Sequence, residues 1–404
     1  MRKHLYQDGR PAHPADQPDN DDMDFRRCIK NLSDNPGAEI IRYGRRKKDI
    51  LSLGQGEGDA PTPDFICRGA EQAMATGKTL YGPVLGHDDL RQEISNYYAR
   101  IYKLALPTNR IFATSSGTTA MHLALTALLE EGDEVVAVTP IWKNLLGAVE
   151  LMQAQFKEVP LRSENGIWTL DLEALFDACT KNTRILLINS PSNPTGWVMT
   201  SAEIKAVMDF ARARNIWVVS DEVYGRIVYD GQRAPSFLDH ATADDRLFVI
   251  NSFSKSWAMT GWRLGWLVGP ARAEKAIRDI ALYDNMGPPT FAQYGAIEAL
   301  RHGEDFISAQ LDLWRGNMDY MATRLAAQDR VIFTPPESTF YGFFKIDGEE
   351  DCLAFARRLI DDVSLLLAPG CAFGRAGQGY IRLCFAVSRD RLSDALGRLE
   401  RAIT

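Results

Sequence analysis

From about residue 25 onward, short apolar runs alternate with stretches that read as helices. The runs DEVVAVT from Asp133, RILLINS from Arg184, IWVVSD from Ile216, RLFVINS from Arg246 and GWRLGWLVG from Gly261 have the length and β-branched content of buried strands. Between them, TTAMHLALTALLE from Thr118 and SAEIKAVMDFARARN from Ser201 predict helices, the second preceded by Thr200 and Glu203 at capping-box spacing. Strand and helix alternate, so the pattern predicts an α/β fold with a mostly parallel sheet covered by helices. After about residue 290 the pattern changes. Long helical stretches from Pro289 through about Arg330 lead into VIFTPP, STFYGFFKI and GYIRLCFAV, with a last helix from about Arg389, which predicts a smaller α+β domain. Residues 1–24, rich in Pro, Asp and Asn and without periodicity, read as a mobile tail.

Composition narrows the function classes. The 404 residues carry 46 Lys+Arg against 53 Asp+Glu, a net charge of −7, which argues against a nucleic-acid partner. No apolar run approaches the roughly 18 residues of a membrane span, and the opening segment lacks the apolar stretch of a signal peptide. A cytoplasmic protein with no membrane partner is expected. The six cysteines, Cys28, Cys67, Cys179, Cys352, Cys371 and Cys384, include no C-x-x-C pair, and the six histidines show no paired spacing. Neither a disulfide framework nor a metal centre is expected, and most of the thiols read as reduced core residues.

The segment SFSKSWAMTGWRLGW carries the densest chemistry, with Ser252, Ser254 and Lys255 leaving one predicted strand and Arg263 entering the next. Hydroxyls and a guanidinium suit a phosphate, and the amine suits a Schiff base with an aldehyde cofactor; an isolated lysine in a loop is ordinarily just solvated. Three weaker signals accompany it. Asn193 precedes a Pro-Thr-Gly turn in NSPSNPTGW, which alone is turn chemistry. Asp221, Glu222 and Tyr224 close an apolar strand in VVSDEVYG, where a carboxylate also serves as a helix cap. Ser116, Gly117 and Thr118 open a helix whose free amides make an anion site, or simply cap it.

In this order, the S-x-S-K lysine with an arginine eight residues on, the N-P-T-G turn and the D-E-x-Y segment resemble the class I/II aminotransferases, fold-type I enzymes that use pyridoxal 5′-phosphate, from about Gly54 to the C-terminus. The resemblance implies a large cofactor domain over 60–290 with a mostly parallel, seven-stranded-type sheet, a small domain over 291–404, and an N-terminal segment, 25–59, packing with the latter. It implies that Lys255 forms the Schiff base and then moves the proton between the substrate Cα and the cofactor. Asp221 would pair with the pyridine nitrogen, and Asn193 and Tyr224 would bond the phenolic oxygen. Ser116, Gly117, Thr118, Ser252 and Arg263 would hold the phosphate, with Ser254 beside them. Trp142, in TPIWKN, matches the aromatic stacked on the cofactor ring, and Tyr81, in KTLYGPVLG, a tyrosine that reaches the phosphate across a dimer interface. A homodimer with shared active sites follows. Arg382, in GYIRLCFA, matches the clamp on the substrate α-carboxylate; Gly56, in LGQGEGD, matches a glycine over the substrate, which Trp142 and Asn193 also border. The implied reaction moves an amino group from an L-amino acid to a 2-oxo acid by a ping-pong cycle. A lyase, a cyclase or an amino-acid oxidase would share these cofactor residues. A cofactor-binding regulator would carry a DNA-binding domain ahead of the fold, where a short Asp-rich tail stands here.

Three departures bear on substrate. Gly58 stands where many relatives carry proline. Lys143, next to Trp142, is either a cation for an acidic side chain or a solvated lysine. No arginine occurs in the segment Tyr283 to Pro289, with Arg278 the nearest, so strict aspartate or glutamate specificity is not expected.

Overall fold

The apolar runs become the middle of a seven-stranded sheet in the computed structural model, which describes residues 25–164 and 166–403. The expected mobile tail lies outside the described residues. In chain order the strands are β1 (Ile111–Thr114), β2 (Glu134–Thr139), β3 (Gln155–Pro160), β4 (Thr183–Asn189), β5 (Trp217–Asp221), β6 (Leu247–Ser252) and β7 (Gly265–Val268). Across the sheet the order is β1, β7, β6, β5, β4, β2, β3, and β7 alone runs antiparallel to its neighbours. The sheet is mostly parallel, as expected.

Its faces explain the runs. Val136, Leu186, Ile188 and Val218 enter one core, and Val135, Ile185, Leu187 and Val219 enter another on the opposite face. A strand buried on both faces cannot alternate apolar with polar residues, so polarity is kept to its ends. Those last positions are Asn189, Asp221 and Ser252, with Asn189 in register with Asp221 and Ser252 in register with Gly265. Chemistry collects at the carboxyl edge of the sheet for this reason. The sequence pattern begins the seventh strand at Gly261; in the structure Thr260–Trp262 is a short helical turn, Arg263 has a positive φ of 54°, and the strand starts at Gly265.

The helix predicted from Ser201 spans Ser201–Arg214, with the Thr200/Glu203 capping box formed. Helix Thr290–His302, which the sequence pattern groups with the smaller domain, packs against Asp64–Ala75 and sends Ala296, Ala299 and Leu300 into the larger core. Helix Glu304–Ala326 then crosses between the two cores, with Ile307 in the first and Trp314, Met321 and Leu325 in the second. Arg226 locks its start by a two-pronged ion pair to Glu304 at 3.0 and 2.6 Å. The second core is built on an antiparallel four-stranded sheet that includes Tyr341–Ile346 and Tyr380–Cys384, covered by helices Cys352–Val363 and Arg389–Ile403; Ile40 and Leu53 of the N-terminal segment join it. Among the described residues no helix is long and apolar enough to cross a membrane.

Gly265 is the tightest joint beneath the carboxyl edge. A Cβ there would come within 2.7 Å of the Asn251 carbonyl and of the Gly117 amide. Gly265→Ala is therefore expected to destabilise the chain by about 1–3 kcal/mol, read as a lower denaturation midpoint; an unchanged midpoint would show that the strand and the Gly117 turn move apart freely.

Candidate active site

A cavity of about 530 Å³ opens at the carboxyl ends of β4, β5 and β6 and is closed from the other side by Tyr341, Phe373 and Arg382 of the second unit. Helix Pro36–Gly44 supplies a further wall. Lys255 sits on a single helical turn, Phe253–Ser256, directly after β6, where Ser252 caps the turn by accepting the Ser254 amide at 3.1 Å. The Lys255 ammonium donates to the Gly56 carbonyl at 2.7 Å and lies 5.9 Å from the centre of the Tyr224 ring. Burial, and then the positive charge of Arg382, lower its pKa to about 8.

Asp221 is 5% exposed, and burial raises its pKa to about 6 against the opposing pull of Lys255. Among the described residues its carboxylate has one hydrogen bond, from the Val223 amide at 3.2 Å. Asn189 braces the strand end, donating to the Asp221 carbonyl at 3.1 Å and accepting the Asn193 amide at 2.8 Å. Arg382, 5% exposed, donates to Asn193 Oδ1 at 2.7 Å and to the Gly54 carbonyl at 2.6 Å, while its Nε has no partner among the described residues. Its guanidinium packs 4.3 Å from the ring centre of Tyr341 and 4.8 Å from that of Phe373. Tyr224 and Tyr341 share a hydroxyl contact of 2.8 Å, and burial raises the pKa of both phenols.

At the other end of the cavity, helix Gly117–Leu128 begins. Ser116 Oγ accepts the Thr119 amide at 2.9 Å and the Ser116 carbonyl takes the Ala120 amide, which leaves the amides of Gly117 and Thr118 uncapped among the described residues. Ser252, Ser254 and Arg263 line the same cavity, and a Cβ on Gly117 would stand 3.3 Å from that of Ser252. A helix N-terminus, two hydroxyls and a guanidinium form an anion cradle.

Of the residues expected in the site, Gly56, Gly117, Thr118, Trp142, Asn193, Asp221, Tyr224, Ser252, Ser254, Lys255, Arg263 and Arg382 all line this cavity. Two do not. Ser116 is buried beneath it, its hydroxyl occupied in capping. Tyr81 is 87% exposed and lies outside the cavity of its own chain. Lys143 borders the cavity, but its ammonium bonds to Ser33 Oγ and sits 3.4 Å from Glu150, so it is neither solvated nor an unpaired cation. Arg278 pairs with Glu274 at 3.8 Å away from the cavity. At Gly58 a Cβ would stand 3.0 Å from the Ala386 carbonyl, a tight fit between the N-terminal segment and the second unit. Tyr341, Phe373 and Asn189 are site residues that the motifs do not single out. A tyrosine within the apolar strand STFYGFFKI was their one visible signal, because a buried hydroxyl requires a partner.

A lysine just past one strand, a buried carboxylate ending the next and an anion cradle in the same cavity define a fold-type I enzyme that uses pyridoxal phosphate. Residues 48–399 match the family model for aminotransferase class I and II. The chain is 32% identical to the aspartate aminotransferase of Pyrococcus horikoshii over 90% of its own length and 93% of that protein's. It is also 32% identical to aromatic-amino-acid aminotransferase 2 of Thermococcus litoralis, over 88% and 92% of the two chains. The crystal structure of aspartate aminotransferase from Thermotoga maritima superposes with a TM-score of 0.87 at 31% identity, covering 93% of this chain and 99% of that one. The chain belongs to the class I and II aminotransferases, and is a pyridoxal-phosphate-dependent aminotransferase.

Because Arg382 helps hold the Lys255 amine down, removing its charge must let the amine keep its proton to higher pH. The rate at which cofactor-free wild-type chain captures pyridoxal phosphate is expected to rise with pH through about 8, and through a higher pH in Arg382→Gln. A coincident limb in both proteins would remove Arg382 from that role.

Proposed function

We propose that Lys255 is the residue that bonds the cofactor and carries the substrate proton, with an L-amino acid and a 2-oxo acid consumed in alternate half-reactions. The observation that carries this reading is the convergence of Lys255 and Asp221, both shifted toward their neutral forms by burial, in one cavity. The cavity fits the cofactor, since it pairs a buried carboxyl of sparse hydrogen bonding with an anion cradle at the opposite end. When bound, pyridoxal phosphate supplies an aldehyde for reversible carbon–nitrogen bonding and a cationic ring that accepts electrons from the substrate Cα.

The side chains do the rest. Asp221 would hold the proton on the ring nitrogen, and Asn193 and Tyr224 would hydrogen-bond the phenolic oxygen. Gly117, Thr118, Ser252, Ser254 and Arg263 would hold the phosphate; Ser116 acts through the cap that fixes the helix start. Trp142 would cover the ring and exclude water. Arg382 takes the substrate carboxylate with its fork, a task for planar guanidinium. Lys255 Nζ, with a pKa of about 8, deprotonates readily enough near neutrality to take the proton from Cα and return it on the other side of the reaction. The Gly56 carbonyl holds the amine in place beforehand.

Two further readings rest on the same geometry. Tyr81, 87% exposed beside Leu80 at 80%, supports a homodimer in which it completes the partner's phosphate site. The wall formed by Ile40, Ile41, Leu145 and Phe373, with Lys143 neutralised by Glu150, supports a donor with an uncharged side chain over aspartate.

Titrating the holoenzyme with leucine, phenylalanine, methionine and aspartate, with no acceptor present, tests the reading by cofactor absorbance. Conversion by an uncharged donor at concentrations at least about tenfold below aspartate, the scale of one lost charged contact, is expected, with recovery on adding a 2-oxo acid. Preference for aspartate would overturn the side-chain reading. Lys255→Ala is expected to lower kcat by more than about 100-fold, and turnover at the wild-type rate would remove Lys255 from its role.

A further inference from the structure

Four cysteines show no sign of special chemistry. Three of them, Cys67, Cys179 and Cys384, direct their thiols at backbone carbonyls, of Thr62 at 3.7 Å, Leu175 at 3.4 Å and Glu57 at 3.5 Å, and burial raises the pKa of each. Cys352 is built the other way round. It is the first residue of helix Cys352–Val363, behind the Asp351 cap, and its sulfur accepts the Cys371 amide at 3.3 Å. The Cys352 thiol faces Gln378 Oε1 at 3.9 Å, the limit of a sulfur contact. Interaction with the Cys371 thiol, and the Cys371 amide at the start of the helix, favour a thiolate at Cys352 and lower its pKa to about 6, while that of Cys371 is raised. Cys352 is 1% exposed, and Cys371, the more exposed of the pair, is half-buried.

We propose that Cys352 and Cys371 are a redox-responsive dithiol that a peroxide closes to a disulfide, and that closing it resets the amino-acid wall of the cavity. The Cys352 sulfur attacks one peroxide oxygen, the O–O bond breaks, and the leaving oxygen departs as water with the proton of Cys371. The Cys371 sulfur, now a thiolate, displaces the remaining oxygen from Cys352 as hydroxide, which takes a proton from solvent and leaves as a second water. The thiols together lose two electrons and the peroxide gains them. The connection to the cavity is short. Ala372 and Phe373, the next residues after Cys371, line the wall; the Phe373 ring packs on Arg382; and the Phe373 carbonyl accepts the Ile141 amide at 2.8 Å, one residue before Trp142. The Arg375 amide continues the tie to the larger unit, donating to Glu158 at 3.1 Å. Tethering Cys371 to the Cys352 helix therefore restrains the turn that seats Arg382 and borders Trp142.

The test uses the dimethyl-sulfoxide-free holoenzyme treated with hydrogen peroxide near stoichiometry. The expected result is a drop from six titratable thiols to four under denaturing conditions, a proteolytic peptide bridging Cys352 and Cys371, and full recovery with dithiothreitol. Oxidised wild type is expected to show a severalfold higher KM for its amino donor, reversed by reduction; Cys371→Ser and Cys352→Ala are expected to show no reversible change. Loss of other thiols, sulfinic acid without a bridge in wild type, or no reaction would overturn the site. A bridge that leaves KM unchanged would overturn its link to the wall. Neither result bears on the Lys255 reading, since the thiol count and peptide map are read without turnover.

Discussion

Taking a lysine and an aspartate out of water at one edge of a sheet is the constraint from which the rest follows. Desolvation favours the neutral form of each, moving Lys255 from 10.5 to about 8 and Asp221 from 3.8 to about 6. Such burial is possible only where the strands beneath are covered on both faces, and that same covering keeps the middles of β4, β5 and β6 apolar and their polar residues at the ends. Architecture and chemistry are thus one requirement seen at two places along each strand. Arg382 completes it from the other side: its bonds to Asn193 and Gly54 tie the second unit to a turn of the first and to the N-terminal segment.

This explains which parts of the fold were legible in the sequence. Strands buried on both faces leave continuous apolar runs, and β4, β5 and β6 were read from them directly. β1 is only four residues long, and β3, on the sheet edge, exposes Gln155, Lys157 and Pro160, so neither stood out. The change of domain was harder to place because helix Glu304–Ala326 serves both cores, and no local pattern distinguishes a helix that changes partners halfway along.

The site divides in the same way. Residues near strand ends, such as Asp221, Ser252 and Lys255, stand in short motifs because each of these strands delivers adjoining residues to the cavity where it ends. Tyr341 meets Tyr224 across 117 residues, and Lys143 finds Ser33 across 110, and neither contact has a local signature. Lys143 shows what is lost: its charge is plain in the sequence, but its neutralisation by Glu150, two turns along the same helix, is a matter of side-chain direction and packing.

The Ser33 contact also has a practical side. It fastens the N-terminal segment to helix Lys143–Leu151, and the next residues, Asn35, Gly37 and Ala38, form part of the cavity wall. Anything that pulls on the front of the chain pulls on that wall, whereas Arg389–Ile403 at the far end is seated in the second core through Leu392, Leu396 and Leu399. For immobilisation, display or fusion, the C-terminal end is the handle that leaves the cavity its shape.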